Sequence, residues 1–385
     1  MEADLKVAVL GYGTVGLGVY EMLKTAKGLE PGPVLVRPGK DDAPFKVTSI
    51  EAIVNDPEVG AAAEVMGGVE PAFSYAAAVL SAGKHLVTSN KALVAARGIE
   101  LAEIAREHGA AFLFSAACGG GVPFLHHLSL ARESDEILSL GGILNGTTNY
   151  MLDAIQRLGL EYEQALKDAQ RLGYAEADPT ADVSGLDALR KIMLACAVAW
   201  GRLPREGLLN EGIGSVTAAD AAHFMARGYT CRLMARGGKT GDGIYAYVEP
   251  VLLRDGAAEC SVLENYNMAR YEGACAGPII LMGQGAGRWP TASAVLRDLG
   301  CILLGHREML PACCAEVPAD NGGVSHLYYV RLPAHRAAAL PCESAESAGG
   351  VARLVTKPMS VAAMHAFAAK IRAEGGEIFF AALEQ

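Results

Sequence analysis

The chain has 385 residues, too many for one ordinary core and enough for two or three domains. Its 33 basic and 43 acidic side chains leave a net charge of −10, which argues against nucleic acid or an anionic membrane as a partner. Nine cysteines, with no Cys-x-x-Cys pair, read as reduced thiols, and no apolar run approaches the roughly 20 residues that span a bilayer.

The first strand, "LKVAVL", begins within a few residues of Met1 with no leader before it, so a cytoplasmic protein is expected. "GYGTVG" follows, and Val15, Val19 and Leu23 then recur at helical spacing. "GPVLVRPG" reads as a second strand, "AAAEVMGG" as a third and "FSYAAAVLSAGKH" as a helix closing on Gly83. "HLVTSNK" is a further strand, "LVAARGIELAEIAREHGA" a helix, and "AFLFSAACGGG" a strand entering a glycine turn. Strands alternating with helices predict an α/β fold with a Rossmann-like, doubly wound parallel sheet over residues 1–130.

The pattern changes near residue 130. "TNYMLDAIQRLGLEYEQALKDAQRLG" and "LDALRKIMLACAVAW" are helical, while "GIYAYVEPVLL" and the stretch near 261–282 are strands. This predicts a second α+β domain over 131–284. "GAGRWPTASAVLRDLG" opens a helix at Pro290 and Thr291, and 285–318 is expected to return to the first domain. From 324 to 385, "HLYYVRLP", "VARLVTK", a helix in "MSVAAMHAFAAKIRAEGG" and "EIFFAALE" form a small third unit, with "AHRAAALPCESAESAGG" as a loop.

With 45 glycines, about 0.6 chance matches to three glycines spaced as in Gly11, Gly13 and Gly16 are expected, so only the strand–turn–helix context gives the motif meaning. In that context Gly11 makes the turn, Gly13 admits a pyrophosphate and Gly16 permits close packing. The amides of Thr14 and Val15 then point at phosphate oxygens. The second strand runs into Arg37 and Lys40, which favour NADP, before Asp41 and Asp42, so both NAD and NADP stay open.

"LGYAEADPTADVSGLDALRK" gathers Glu176, Asp178, Asp182, Asp187 and Lys191, with Ser184 as the expected helix cap. Asp187 and Lys191 stand at i and i+4, ordinarily a solvated pair worth a few tenths of a kcal/mol. The apolar helix behind them and the acidic run before them point instead to a buried site for a cationic amine. Lys91 ends a strand, where open sheets hold ligands. Gly146 and Thr147 open a helix, and "SAACGGGVPF" offers carbonyls for a monovalent cation.

Seven segments together resemble homoserine dehydrogenase, in that family's order over residues 1–318: "VAVLGYGTVG", "EVMGGVEPA", "GKHLVTSNKALVA", "GGGVPF", "GILNGTTNYML", "LGYAEADPTADVSGLDALRK" and "GAGRWPTASAVLRDL". The resemblance implies reversible interconversion of L-homoserine and L-aspartate 4-semialdehyde with NAD or NADP, in threonine, methionine and isoleucine biosynthesis. It implies Lys191 as the proton-transferring lysine, its pKa lowered by burial and by Lys91, which lies by the reacting oxygen and the cofactor. Asp187 then positions substrate, and Glu176 and Asp182 bind the substrate ammonium. Gly146, Thr147, Gly173 and Tyr174 line the pocket. Gly67, Gly68, Ser89, Gly285 and Gly287 join the cofactor set, and the resemblance implies that the domain over 131–284 serves catalysis and dimerisation, through its sheet, in a homodimer. The family's Na+ site maps to the carbonyls of Cys118, Gly120 and Val122, but Ser115 stands where the family carries a glutamate. The tail resembles half of a degenerate ACT unit, a βαββαβ module that binds amino acids.

Two rival readings remain at this level. An aspartate-semialdehyde dehydrogenase would need a nucleophilic cysteine such as Cys118 with a histidine base, and no matching histidine motif is present. An inactive dinucleotide-binding paralogue would explain Ser115 and the altered tail, but not the intact Lys191, Asp187 and Glu176.

Overall fold

The computed structural model describes residues 4–39, 42–241 and 243–384. The chain divides into two compact units, the first from Met1–Ile137, Met193–Leu203 and Gly283–Ala315, the second from Leu138–Ile192, Pro204–Met282 and Glu316–Gln385. Among the described residues no helix is long and apolar enough to cross a membrane.

The first unit is built on a six-stranded parallel sheet: β1 (Leu5–Leu10), β2 (Leu29–Leu35), β3 (Lys46–Val47), β4 (Val59–Glu64), β5 (His85–Thr88) and β6 (Phe112–Leu113), in the order β3-β2-β1-β4-β5-β6. Val7 to Leu10 and Ala61 to Ala63 are fully buried, because helices cover both faces of such a sheet and its central strands need apolar residues on both sides. The strand order reverses beside β1, the topological position at which open sheets bind ligands. The helix Arg288–Leu303 packs on the helix Thr14–Leu23. A Cβ added at Gly18 would stand 2.8 Å from Arg288 Cγ, so the small residue sets their approach.

The second unit carries a long mixed sheet. Its centre is the hairpin of Tyr229–Thr240 and Gly243–Arg254, paired in register from Tyr229↔Arg254 to Thr240↔Gly243. The strand Tyr229–Thr240 carries Arg232 and Arg236 and breaks the apolar alternation that would reveal it in sequence. The helix Ala218–Met225 also lacks an obvious apolar run, yet Thr217 and Asp220 form a reciprocal capping box at its start.

The tail differs from expectation in two ways. It is not a separate compact unit: Phe379–Leu383 pairs parallel with Gly243–Arg254 at Val251↔Ala382 and antiparallel with Ser325–Pro333. One core joins them, with Met234, Val251 and Leu253 buried alongside Tyr328, Val330, Met364 and Phe380. The expected loop 334–350 instead holds a 3₁₀ turn, Ala334–Ala339, and an exposed edge strand, Cys342–Ala348. That strand has little β propensity of its own. It forms because Gly349 and Gly350, with φ of 60° and 82°, close a two-residue hairpin onto Val351–Thr356.

Candidate active site

In the first unit, β1 runs into Gly11, whose φ of +103° is the left-handed region that favours glycine. The three glycines of the motif have three different reasons. A Cβ on Gly16 would stand 2.1 Å from the Gly11 carbonyl oxygen, so helix and strand touch there. A Cβ on Gly13 would meet no protein atom within 4 Å; it would project into open space. No side chain caps the helix Thr14–Leu23, so its first amides, at Thr14 and Val15, are left for an anionic ligand. A cavity of about 510 Å³ opens at this turn, lined by Gly11, Gly13, Val36, Arg37, Met66 and Gly67 among others. Arg37 is exposed at its rim, and Lys40 lies outside the described residues.

Glu64, at the end of β4, was not singled out in the sequence, yet it organises this region. It is fully buried, and it accepts from the Thr88 hydroxyl and from the Met66 amide at 2.8 Å. Desolvation pushes its carboxyl up to about 7. Asn90 caps the helix Lys91–Glu107 through the Leu93 amide at 3.1 Å and donates to the Gly68 carbonyl at 2.7 Å. The Ser89 amide donates to the Glu64 carbonyl at 3.1 Å, and Lys91, half-buried, follows as the first helical residue. The turn 65–68 and the end of β5 are thus tied together. Gly285 and Gly287 are not among the residues lining the cavity. A Cβ on Gly120 would come within 2.7 Å of the Gly285 carbonyl, so Gly285 belongs to a close backbone crossing. Gly287, with φ +118°, caps the helix Arg288–Leu303.

Ser115 is occupied otherwise than a cation ligand would be. Its amide donates to Asp298 at 2.7 Å and its hydroxyl donates to the same carboxylate, which burial pushes up to about 6. The Val122 carbonyl accepts from the Phe124 amide at 2.8 Å. Among the described residues no group of three or more His, Cys, Asp or Glu is placed to hold a metal ion.

The helix Leu186–Trp200, which belongs to the second unit as far as Ile192, carries Asp187 and Lys191 one turn apart. Lys191 Nζ lies 2.7 Å from Asp187 Oδ2 and donates to the Leu144 carbonyl at 2.6 Å. The two side chains are only 9% and 7% exposed, so the surface i,i+4 estimate does not apply; this is a buried, hydrogen-bonded ion pair. Asn145 is the hub. Its Oδ1 accepts from the Thr148 amide, capping the helix Gly146–Leu158, while Nδ2 donates to Asp182 at 2.7 Å and Asp187 at 2.9 Å. Thr147 donates to the Tyr174 carbonyl at 2.5 Å and stands 3.4 Å from Asp182. Tyr174 packs edge-on to Tyr150, with ring centroids 5.2 Å apart.

Not every expected residue joins this cluster. Glu176 is exposed, and its main-chain carbonyl accepts from Gln170 while its carboxylate stays outside the hydrogen-bonded group. Gly146 abuts the Asn265 carbonyl, where a Cβ would stand at 2.5 Å, and Gly173, with φ +77°, terminates the helix Tyr162–Arg171. The expected cap, Ser184, does not cap: its hydroxyl is buried without a hydrogen bond, and Gly185 directly precedes the helix. The cluster thus sets two carboxylates, Asp182 and Asp187, against the one ammonium of Lys191.

A parallel sheet with a dinucleotide turn and a buried lysine–carboxylate cluster defines an NAD(P)-dependent oxidoreductase. Comparison with known proteins agrees. The profile described as homoserine dehydrogenase matches residues 123–299, and that of the homoserine dehydrogenase NAD binding domain matches 11–115. A homoserine dehydrogenase of Synechocystis sp. is 39% identical over 313 residues, covering 77% of this chain and 72% of its own. The crystal structure of a homoserine dehydrogenase from Thiobacillus denitrificans superposes with a TM-score of 0.86 at 29% identity, covering 99% of this chain and 98% of that one. That of S. aureus gives 0.76 at 27% identity, with full coverage of both chains. The chain belongs to the homoserine dehydrogenase family.

Proposed function

We propose that Lys191 moves the proton in the interconversion of L-homoserine and L-aspartate 4-semialdehyde. The observation that carries this is its buried ammonium, 2.7 Å from Asp187 and 2.6 Å from the Leu144 carbonyl, beside an excess of carboxylate. In aldehyde reduction the ammonium gives a proton to the carbonyl oxygen; in alcohol oxidation the amine takes the hydroxyl proton. A bound nicotinamide supplies or accepts the hydride. Asp187 orients Lys191, and Asp182 with Asp187 holds the substrate ammonium. Asn145 fixes both carboxylates, and Lys91 is assigned to the reacting oxygen by the family resemblance alone.

The open space at Gly13 and the uncapped amides at Thr14 and Val15 fit a pyrophosphate. Arg37 at the cavity rim favours a 2′-phosphate, hence NADP. At 115–122 the donor set does not fit a carboxylate-anchored Na+, because Ser115 is committed to Asp298, and no step is assigned to a cation. A homodimer is supported by the outer strand Gly277–Gln284, on which Ile280 and Met282 are 44% and 56% exposed. A cytoplasmic location is supported by nine cysteines with no disulfide.

The test is an absorbance assay of nicotinamide reduction by homoserine. Reduction with NADP+ at a higher kcat/KM than with NAD+ is expected. Bound cofactor without reduction of either would overturn the reading in favour of an inactive paralogue.

A further inference from the structure

The helix Val361–Ala373 lies beyond residue 299, where the matched family profile ends. It secures one short segment, 207–213, from both of its ends. At the N-terminal end, Asn321 is 3% exposed and donates from Nδ2 to the Gly207 carbonyl at 2.7 Å, while its own carbonyl accepts from the Ala362 amide at 3.1 Å. At the C-terminal end, Arg372 makes two parallel hydrogen bonds to Glu211, Nη1 to Oε2 at 2.9 Å and Nη2 to Oε1 at 2.7 Å. Glu211 is only 8% exposed, and the guanidinium meets both of its carboxylate oxygens.

The same segment backs the turn that opens the Asp187–Lys191 helix. Asn210 Nδ2 donates to the Ser184 carbonyl at 2.7 Å, and the Ile213 amide to the Val183 carbonyl at 2.9 Å. The fit leaves no slack: a Cβ on Gly212 would stand 2.1 Å from the Val183 oxygen, and one on Gly185 3.3 Å from the Glu211 oxygen. Asp182 opens this turn, its carbonyl accepting from the Gly185 amide at 3.0 Å, and Asp187 follows it.

We infer that Arg372 is a positioning residue for the substrate-binding carboxylates, acting through Glu211 and the 210–213 segment on the 182–185 turn. The inference rests on the assignment of Asp182 and Asp187 to the substrate ammonium. Without the guanidinium, Glu211 is a buried carboxylate lacking its counter-charge, and the segment relaxes towards water, carrying the turn with it. Asp187 is held by the charged Lys191 ammonium as well as by Asn145, while Asn145 and Thr147, both neutral, hold Asp182, so the displacement falls mainly on Asp182. The effect is therefore on substrate affinity and not on proton transfer.

The experiment is steady-state kinetics of the full chain carrying Arg372→Leu, Arg372→Lys or Glu211→Gln. Arg372→Leu is expected to raise the KM for homoserine roughly tenfold, with kcat within about twofold and the KM for NADP+ unchanged. Arg372→Lys, which keeps the charge but not the paired geometry, recovers part of the loss. Glu211→Gln, isosteric and free of the buried charge, tests the same link if Arg372→Leu does not fold, and also raises the homoserine KM. Folded variants with unchanged homoserine KM overturn the inference. So do losses that strike kcat and both KM values alike in step with a lowered Tm. Asp182→Asn separates the two levels: if it leaves the homoserine KM unchanged, the substrate-site assignment itself fails, whatever Arg372 does.

Discussion

The two functional regions are made of different material. The nucleotide turn of the first unit is backbone: three glycines, uncapped amides and an open cavity. The cluster of the second unit is side chain: two aspartates, a lysine and an asparagine that bridges them. The backbone site has no room for an added atom at Gly11 or Gly16, whereas at Gly13 a Cβ would enter only open space. The side-chain site depends on one hub, Asn145, that satisfies a helix end and two carboxylates at once. On the proposed reading, the first kind of site binds a ligand common to many proteins and the second selects the substrate.

That contrast can be broken at either end. The largest effect is expected from Lys191→Ala, which should lower kcat by about 10²-fold or more while leaving cofactor affinity intact, measured by turnover and by fluorescence titration of the reduced nicotinamide. Next come the glycines, which should separate cleanly. Gly13→Ala should weaken cofactor binding roughly tenfold without loss of Tm, since its Cβ meets only open space. Gly16→Ala should cost about 1–3 kcal/mol of stability as well, because its Cβ runs into the Gly11 carbonyl. Denaturant titration of both variants shows whether that separation holds.

Asn145→Ala removes a helix cap worth about 0.5–2 kcal/mol and frees both carboxylates. A lower Tm is expected together with a raised homoserine KM; a lowered Tm alone would make Asn145 only a cap. The smallest effect concerns pH. Glu64 keeps its proton in the folded chain up to about pH 7, whereas the unfolded chain releases it near 4.5. Stability is therefore lost as pH rises between those values. Glu64→Gln removes that loss, so the variant should gain on the parent by up to about 3 kcal/mol above pH 7 and by little near pH 4.5. A difference that does not change with pH would show that Glu64 is ionised in the folded chain.

Much of the nucleotide region was legible in sequence because each glycine answers to one local geometric demand. The carboxylate–lysine spacing was legible too, since i and i+4 on an apolar helix have few innocent explanations. Asn145 was not, because Asn-Gly before a helix looks like an ordinary turn, and its second role needs Asp182 and Asp187 brought from some forty residues away by the fold. Glu64 was hidden for a similar reason: its partners are Thr88, at the end of the next strand, and Asn90, the cap of the helix after it. Glu176 is assigned to the substrate ammonium by the family resemblance, yet the residue is exposed and its carboxylate lies outside the Asn145-centred cluster. The edge strand Cys342–Ala348 was missed although its signal, Gly349-Gly350, was present; alanine, serine and glutamate around it masked the hairpin.

The most direct test of the proton assignment is chemical rescue. Lys191→Ala, saturated with cofactor and homoserine, should regain turnover as small primary amines are added, in proportion to the concentration of free amine. Turnover near that of the parent without any amine, or a rate that no amine of any size improves, would contradict the account.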